Sequence, residues 1–92
     1  MNYEVRLTKQ AEADLLALPP HLQQFLARRL EDLGVSPSRK SRPSVSPPHP
    51  PNFMLHETEY SVGRERWHFY VLFRYHQDES SIVVNSIGYQ QL

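Results

Sequence analysis

Arg66, His68, Tyr70, Leu72 and Arg74 occupy alternate positions in RWHFYVLFRY, the stretch from Arg66 to Tyr75. Aromatic and β-branched residues fill this stretch, and it contains neither Gly nor Pro, so it reads as a strand. Alternate residues of a strand share a face. That face therefore carries two guanidinium groups, an imidazole and a phenol. An imidazole exchanges protons near neutral pH, and guanidinium groups hold phosphate oxygens. The set makes a basic, proton-capable surface on a rigid element, suited to RNA chemistry. It is equally the solvated outer face of a central antiparallel strand, and alternation alone leaves both readings open. Strand rise puts Arg66 and His68 about 7 Å apart, within reach of one substrate, and sets Arg74 about 26 Å away at the other rim.

The opposite parity, Trp67, Phe69, Val71, Phe73 and Tyr75, is apolar and reads as core, with the Trp67 ring part of that core. The chain has ten basic and ten acidic residues and formal net charge zero. A nucleic-acid binder normally shows a basic excess, so attraction for phosphate has to come from local clustering. Bases gather at Arg28–Arg29, at Arg39, Lys40 and Arg42, and at Arg64, Arg66 and Arg74. The Arg39–Arg42 cluster reads as a solvated loop, with a phosphate contact as the alternative. His21, His49, His56, His68 and His76 show no ligand spacing on a common element, which argues against a metal site. No Gly-rich phosphate loop and no Ser-His-Asp order is visible, so no cofactor is implied. Cysteine is absent, MNYEVR has no apolar leader character, and the longest apolar run, Phe69–Phe73, is far too short to span a membrane. These features fit a cytoplasmic protein.

These residues need a scaffold to position them. Ninety-two residues predict one domain, 1–92. A chain this short buries roughly 60–65% of its unfolded surface, enough for one modest core. Asn2–Leu7 alternates, with Tyr3, Val5 and Leu7 inward, and predicts a half-buried strand. Thr8 offers a helix N-cap, Glu12 suits the helix dipole, and Ala11, Leu15 and Leu18, widened by Leu16, form an apolar stripe that ends at Pro19. Pro20 suits the first turn of a second helix with Leu22, Phe25, Leu26, Leu30 and Leu33 at helical spacing. Gly34 is expected to close it as a left-handed cap. A loop at about 35–52 holds six of the eight prolines and favours extended geometry. A strand over Phe53–Val62, a turn at Gly63–Glu65, the Arg66–Tyr75 strand, a polar turn at His76–Ser80 and a strand over Ser81–Ile87 ended by Gly88 complete the order, with Tyr89–Leu92 as a tail. The order β-α-α-β-β-β predicts an α+β fold: two antiparallel N-terminal helices packed on one face of a mostly antiparallel four-stranded sheet.

This order and several local motifs resemble the RelE/ParE toxin superfamily of type II toxin–antitoxin systems. YEVRLTKQAEADLLALP is similar to the family's first strand and capped helix. Leu33–Pro37 resembles its leucine-then-proline exit from the second helix. Tyr60–Arg66 resembles its aromatic residue, glycine turn and arginine, and Ile87-Gly88 its terminal Ile-Gly pair. The resemblance spans nearly the whole chain.

The resemblance implies a toxin neutralised by a cognate antitoxin. Its RelE-like branch cleaves mRNA on the ribosome without a metal, through attack of the 2′-hydroxyl on the neighbouring phosphate. That step needs a proton acceptor, cations for the phosphorane charge and an acid for the leaving oxygen. By resemblance Arg66 stabilises the phosphate, His68 serves as acid or base, and Tyr89 and Gln90 complete the catalytic set. Gln90 stands where RelE-like toxins carry an arginine. Arg39, Lys40, Arg42, Arg64, Tyr70 and Arg74 are the expected RNA contacts; Tyr70 or Tyr89 orients a nucleotide or stacks on a base. If Gly88 lies opposite His68, Gln90 lies opposite Arg66. The alternatives are a ParE-like inhibitor of DNA gyrase and a non-catalytic interaction module of the same fold.

Overall fold

The computed structural model describes residues 2–44, 52–78 and 80–92. In β4 (Glu65–Tyr75) the middle of the apolar parity is buried as its alternation predicts: Phe69, Val71 and Phe73 are fully inaccessible, whereas Tyr75, at the strand end, is exposed rather than core. β4 sits at the centre of a sheet with order β1-β5-β4-β3-β2, where β1 is Glu4–Leu7, β2 Arg42–Pro43, β3 Met54–Val62 and β5 Ser81–Gln91. The sheet has five strands rather than four, because two residues of the proline-containing connection pair with β3, Arg42 opposite Leu55 and Pro43 opposite Met54. β1 runs parallel to β5, and the remaining pairs are antiparallel.

Two helices cover one face. Helix α1 (Lys9–Leu16) starts at Thr8, whose hydroxyl accepts the Ala11 N–H at 3.1 Å. The same hydroxyl donates to the Asn85 carbonyl at 2.8 Å, so the cap also docks the helix on β5. Asp14 adds a second tie by accepting the Ile87 N–H at 2.9 Å. Helix α2 (Pro20–Leu33) begins with proline in its first turn and turns Leu22, Leu26, Leu30 and Leu33 into the core against Phe69, Val71, Phe73, Ile82 and Val84. Phe25 packs at the margin of this cluster, its ring 5.1 Å from that of Tyr60. Leu16 does not extend the α1 stripe; it lies at the helix end and is exposed.

Three further expectations are corrected. Gly34 is not a left-handed cap: its φ is −63°, and the positive φ falls on Ser36, at 53°. Glycine is needed at position 34 for a different reason. The Gly34 carbonyl accepts the Tyr3 N–H at 2.7 Å, and a Cβ at Gly34 would lie 2.6 Å from the Tyr3 carbonyl oxygen. Gly88 does not end the last strand, which runs on through Tyr89 to Gln91. A bulge at Asn85 explains the broken alternation: Leu72 faces Ser86 but Phe73 faces Val84, so Ile82, Val84 and Ile87 all reach the core. Trp67 is only half-buried, stacked against Phe69 with its indole N–H donating to Glu65 Oε1 at 2.9 Å. Pro47, Pro48, Pro50 and Pro51, with His49, lie outside the described residues.

Candidate functional site

The hairpin between β3 and β4 aligns the chemistry. Gly63, with φ of 60°, opens a two-residue turn with Arg64, and Val62 pairs with Glu65. The register that follows sets Ser61 opposite Arg66, Glu59 opposite His68 and Glu57 opposite Tyr70. All six side chains lie on the sheet face turned away from the helices, because their neighbours in sequence belong to the core parity.

On that face the side chains lean diagonally. Arg66 Nη2 is 2.8 Å from Glu59 Oε1, and Arg66 Nε is 3.2 Å from the same oxygen. His68 Nε2 is 3.2 Å from Glu57 Oε1. The other oxygen of Glu57 receives Arg42 Nη2 at 3.0 Å. The His68 and Tyr70 rings lie 4.6 Å apart, at 49° to one another. Glu57 thus joins β2, β3 and β4 at one carboxylate. The His68 and Glu57 side chains are 27% and 29% exposed, whereas those of Arg66 and Arg42 are 55% and 66% exposed. The imidazole–carboxylate pair is therefore the sheltered part of the site and the guanidinium groups its wet rim. With Nε2–H directed at Glu57, Nδ1 of a neutral His68 carries a lone pair and can accept a proton.

Gln90 joins this face, but opposite His68 rather than Arg66, since β5 pairs Tyr70 with Gly88 and His68 with Gln90. The shift is two residues, so the face is retained and the neighbour changes. The position across from Arg66 falls to Leu92, whose N–H donates to the Arg66 carbonyl at 2.9 Å. Tyr89 is separated from the others. It pairs with Phe69 and stands on the helix side of the sheet, its ring 5.5 Å from Trp67 and 6.4 Å from Phe69. It cannot act on a substrate held by Arg66 and His68. Nearby, Glu65 bridges His21 at 2.8 Å and Trp67, and these hydrogen bonds, His21 first, hold its carboxyl below the usual range.

Of the expected RNA contacts, Arg42 and Tyr70 reach the cluster. Arg39 ends a 3-10 turn over Pro37–Arg39, and Lys40 Nζ donates to the Asp32 carbonyl near the end of α2. Arg64 is exposed at the hairpin tip. Arg74 is on the same face but beyond Leu72, opposite Val83. Glu57 and Glu59 were not among the residues expected from sequence; their alternation within HETEYSV is a weak signal until the hairpin register assigns them partners. Among the described residues no group of His, Asp and Glu is arranged to hold a metal ion. A groove of about 400 Å³ runs along α2, lined by His21, Gln24, Phe25, Arg28, Arg29 and Asp32, but it is on the helical side and none of the cluster lines it.

No protein-family model matches the chain, and no curated protein matches it by sequence. Solved structures do. A chain of the RelBE2 toxin–antitoxin complex from Mycobacterium tuberculosis superposes with a TM-score of 0.75 at 21% identity, over 98% of this chain and 100% of that one. A mutant of the E. coli toxin RelE in the free state gives 0.66 at 13% identity, over 96% and 83% of the two chains. The intact E. coli RelBE complex gives 0.62 at 12% identity, over 94% of each. This chain has the RelE fold. The RelE fold here accounts for the helix pair, the mixed sheet and the uncovered face on which Glu57, Arg66 and His68 meet. Among the described residues, no helix is long and apolar enough to cross a membrane.

Proposed function

We propose that this protein is the toxin of a type II toxin–antitoxin pair, a member of the RelE/ParE superfamily that cleaves mRNA on the ribosome and is held inactive by a cognate antitoxin. One observation carries the reading: His68, oriented by Glu57, stands beside Tyr70 and one strand step from Arg66 on the open face of a RelE fold. His68 Nδ1 would take the 2′-hydroxyl proton as that oxygen attacks the adjacent phosphorus. Arg66 would bind the charge that gathers on the phosphorane oxygens, and water or the protonated imidazole would supply the proton to the leaving 5′-oxygen. Tyr70 would position a base or ribose. No metal is needed for any of these steps.

A second reading has its own support. Arg66 and Arg42 are each paired with a glutamate, and the chain as a whole is neutral. A face whose cations are already compensated attracts a polyanion weakly. This favours a toxin with a protein target, such as the gyrase-directed branch of the same superfamily, or a module of the same fold without a target.

Controlled induction in a bacterial host, followed by primer extension on an abundant message, separates the readings. The RNA-cleaving toxin gives arrested translation and discrete cuts within translated codons, lost in Arg66→Ala. Growth arrest with DNA damage and intact messages assigns the second reading. Normal growth with intact messages rejects both toxin readings.

A further inference from the structure

The two long edges of the sheet are built differently. The outward edge of β3, beyond its two-residue pairing with β2, carries Glu57 and Glu59. Charged residues on an edge oppose pairing with another chain. The outward edge of β5 is covered over its first part only. β1 pairs with Ser81 to Val84, Thr8 binds the Val84 and Asn85 carbonyls, and Asp14 takes the Ile87 N–H. Beyond Ile87 the cover stops. The Leu92 N–H points to Arg66 on β4, so by alternation Gly88 and Gln90 also direct their backbone groups to β4, and Tyr89 and Gln91 direct theirs outward. Among the described residues nothing hydrogen-bonds those outward groups.

From Ser81 to Leu92 the sequence SIVVNSIGYQQL contains no charge and no proline. Among the described residues, none of the usual devices that blunt an edge is present past Ile87: no lysine, no proline, no bulge and no covering helix. Exposed apolar side chains lie at the bare segment, Tyr89 at 50% and Leu92 at 55%.

We propose that this edge pairs with the same edge of a second copy, joining two sheets antiparallel through Tyr89–Gln91. The occupant follows from symmetry and charge. A two-fold axis at Gln90 sets Tyr89 of one copy against Gln91 of the other, so that each outward N–H meets an outward C=O. Gln90 then lies beside its own symmetry mate, where amide side chains can hydrogen-bond to each other. Sliding the pairing toward Ile87 is blocked, because Asp14 already holds that N–H. No like charges meet across the axis. The same operation at the β3 edge, with its axis at Thr58, would set Glu57 of one copy against Glu59 of the other, two like charges. The contact is short, so the association is concentration-dependent rather than permanent.

Sedimentation of the full chain over a wide range of concentration, with amide exchange of the same samples, tests this. A dimer is expected at high concentration, with the Tyr89 and Gln91 amides slowing at least tenfold as it forms and the Gly88 and Gln90 amides protected throughout. Gln91→Pro removes an outward N–H that the sheet does not use, so it is expected to leave the circular dichroism and melting unchanged while abolishing the dimer. A monomer at every concentration overturns the proposal. So does a dimer that survives Gln91→Pro while the Tyr89 amide exchanges freely, since that dimer uses another surface.

Discussion

His68 bonds to Glu57, not to Glu59, its directly opposed partner across the hairpin. Arg66 makes the same diagonal step, passing Ser61 to reach Glu59. The common offset follows the twist of the two strands, which brings diagonal neighbours within reach of long side chains. It gives the two glutamates different work. Glu57 orients an imidazole and anchors Arg42, whereas Glu59 only neutralises an exposed guanidinium.

On the proposed mRNA-cleaving reading, Glu57→Gln is expected to lower message cleavage by about tenfold or more, through loss of imidazole orientation. Glu59→Gln should leave it unchanged or raise it, because an exposed ion pair contributes little and its loss frees Arg66 for phosphate. Primer extension on a translated message compares the two. Equal losses would show that both carboxylates act only on the charge balance of the face.

Gln90→Arg would place a cation directly across from His68. If cleavage is limited by uncompensated charge in the transition state, the variant should gain about tenfold to a hundredfold. A rate unchanged from the unmodified protein in the same assay would show that charge at this position does not limit the reaction.

Core and rim of β4 should differ in stability. Phe69 is inaccessible, and Phe69→Ala is expected to cost about 3–5 kcal/mol. Trp67 is half-buried at the sheet margin, and Trp67→Ala should cost roughly half as much. Denaturant melts of both variants measure the ratio; a larger loss at Trp67 would place the centre of the core near the Tyr89 end.

Two glycines should respond in opposite ways to alanine. At Gly34 the added methyl would collide with the Tyr3 carbonyl, costing about 1–3 kcal/mol. At Gly88 the nearest atoms are in Tyr70 at 3.9 Å, an ordinary contact, so Gly88→Ala should be close to neutral. Thermal melts read both.

Asp78 closes the turn before β5. Hydrogen bonds from the Ser80 N–H first, then from Ser81, with His76 nearby, lower its pKa to about 2. Its folded pKa lies below its unfolded value of about 3.9. The unfolded chain therefore binds the proton first, and the stabilisation is fully present above pH ~4 and is lost as pH falls toward 2. Melting between pH 5 and pH 2 should fall less steeply in Asp78→Asn than in the unmodified protein. Parallel curves would mean the turn does not couple to folding.

Periodicity and end signals in the sequence determined the elements. Alternation in Arg66–Tyr75 assigned the core parity, Thr8 and Pro20 marked the helix starts, and Gly63 marked the hairpin. These are local effects, set by backbone geometry within a few residues. The resemblance to RelE/ParE toxins likewise pointed to the fold that the solved structures share. The site needed pairings between strands. Glu57 and Glu59 acquire partners only when the two-residue turn fixes which residues of β3 and β4 face one another. The placement of Gln90 and Tyr89 depends on β5, whose bulge at Asn85 shifts the register by a residue that no pattern in IVVNSIGYQ announces. A shift of one residue exchanges the faces of a strand, and a shift of two changes the neighbour while keeping the face. Tyr89 thus stands with Trp67 on the helix side, and Gln90 meets His68. The packing of α1 against Asn85 and Ile87, through Thr8 and Asp14, helps hold that register in place.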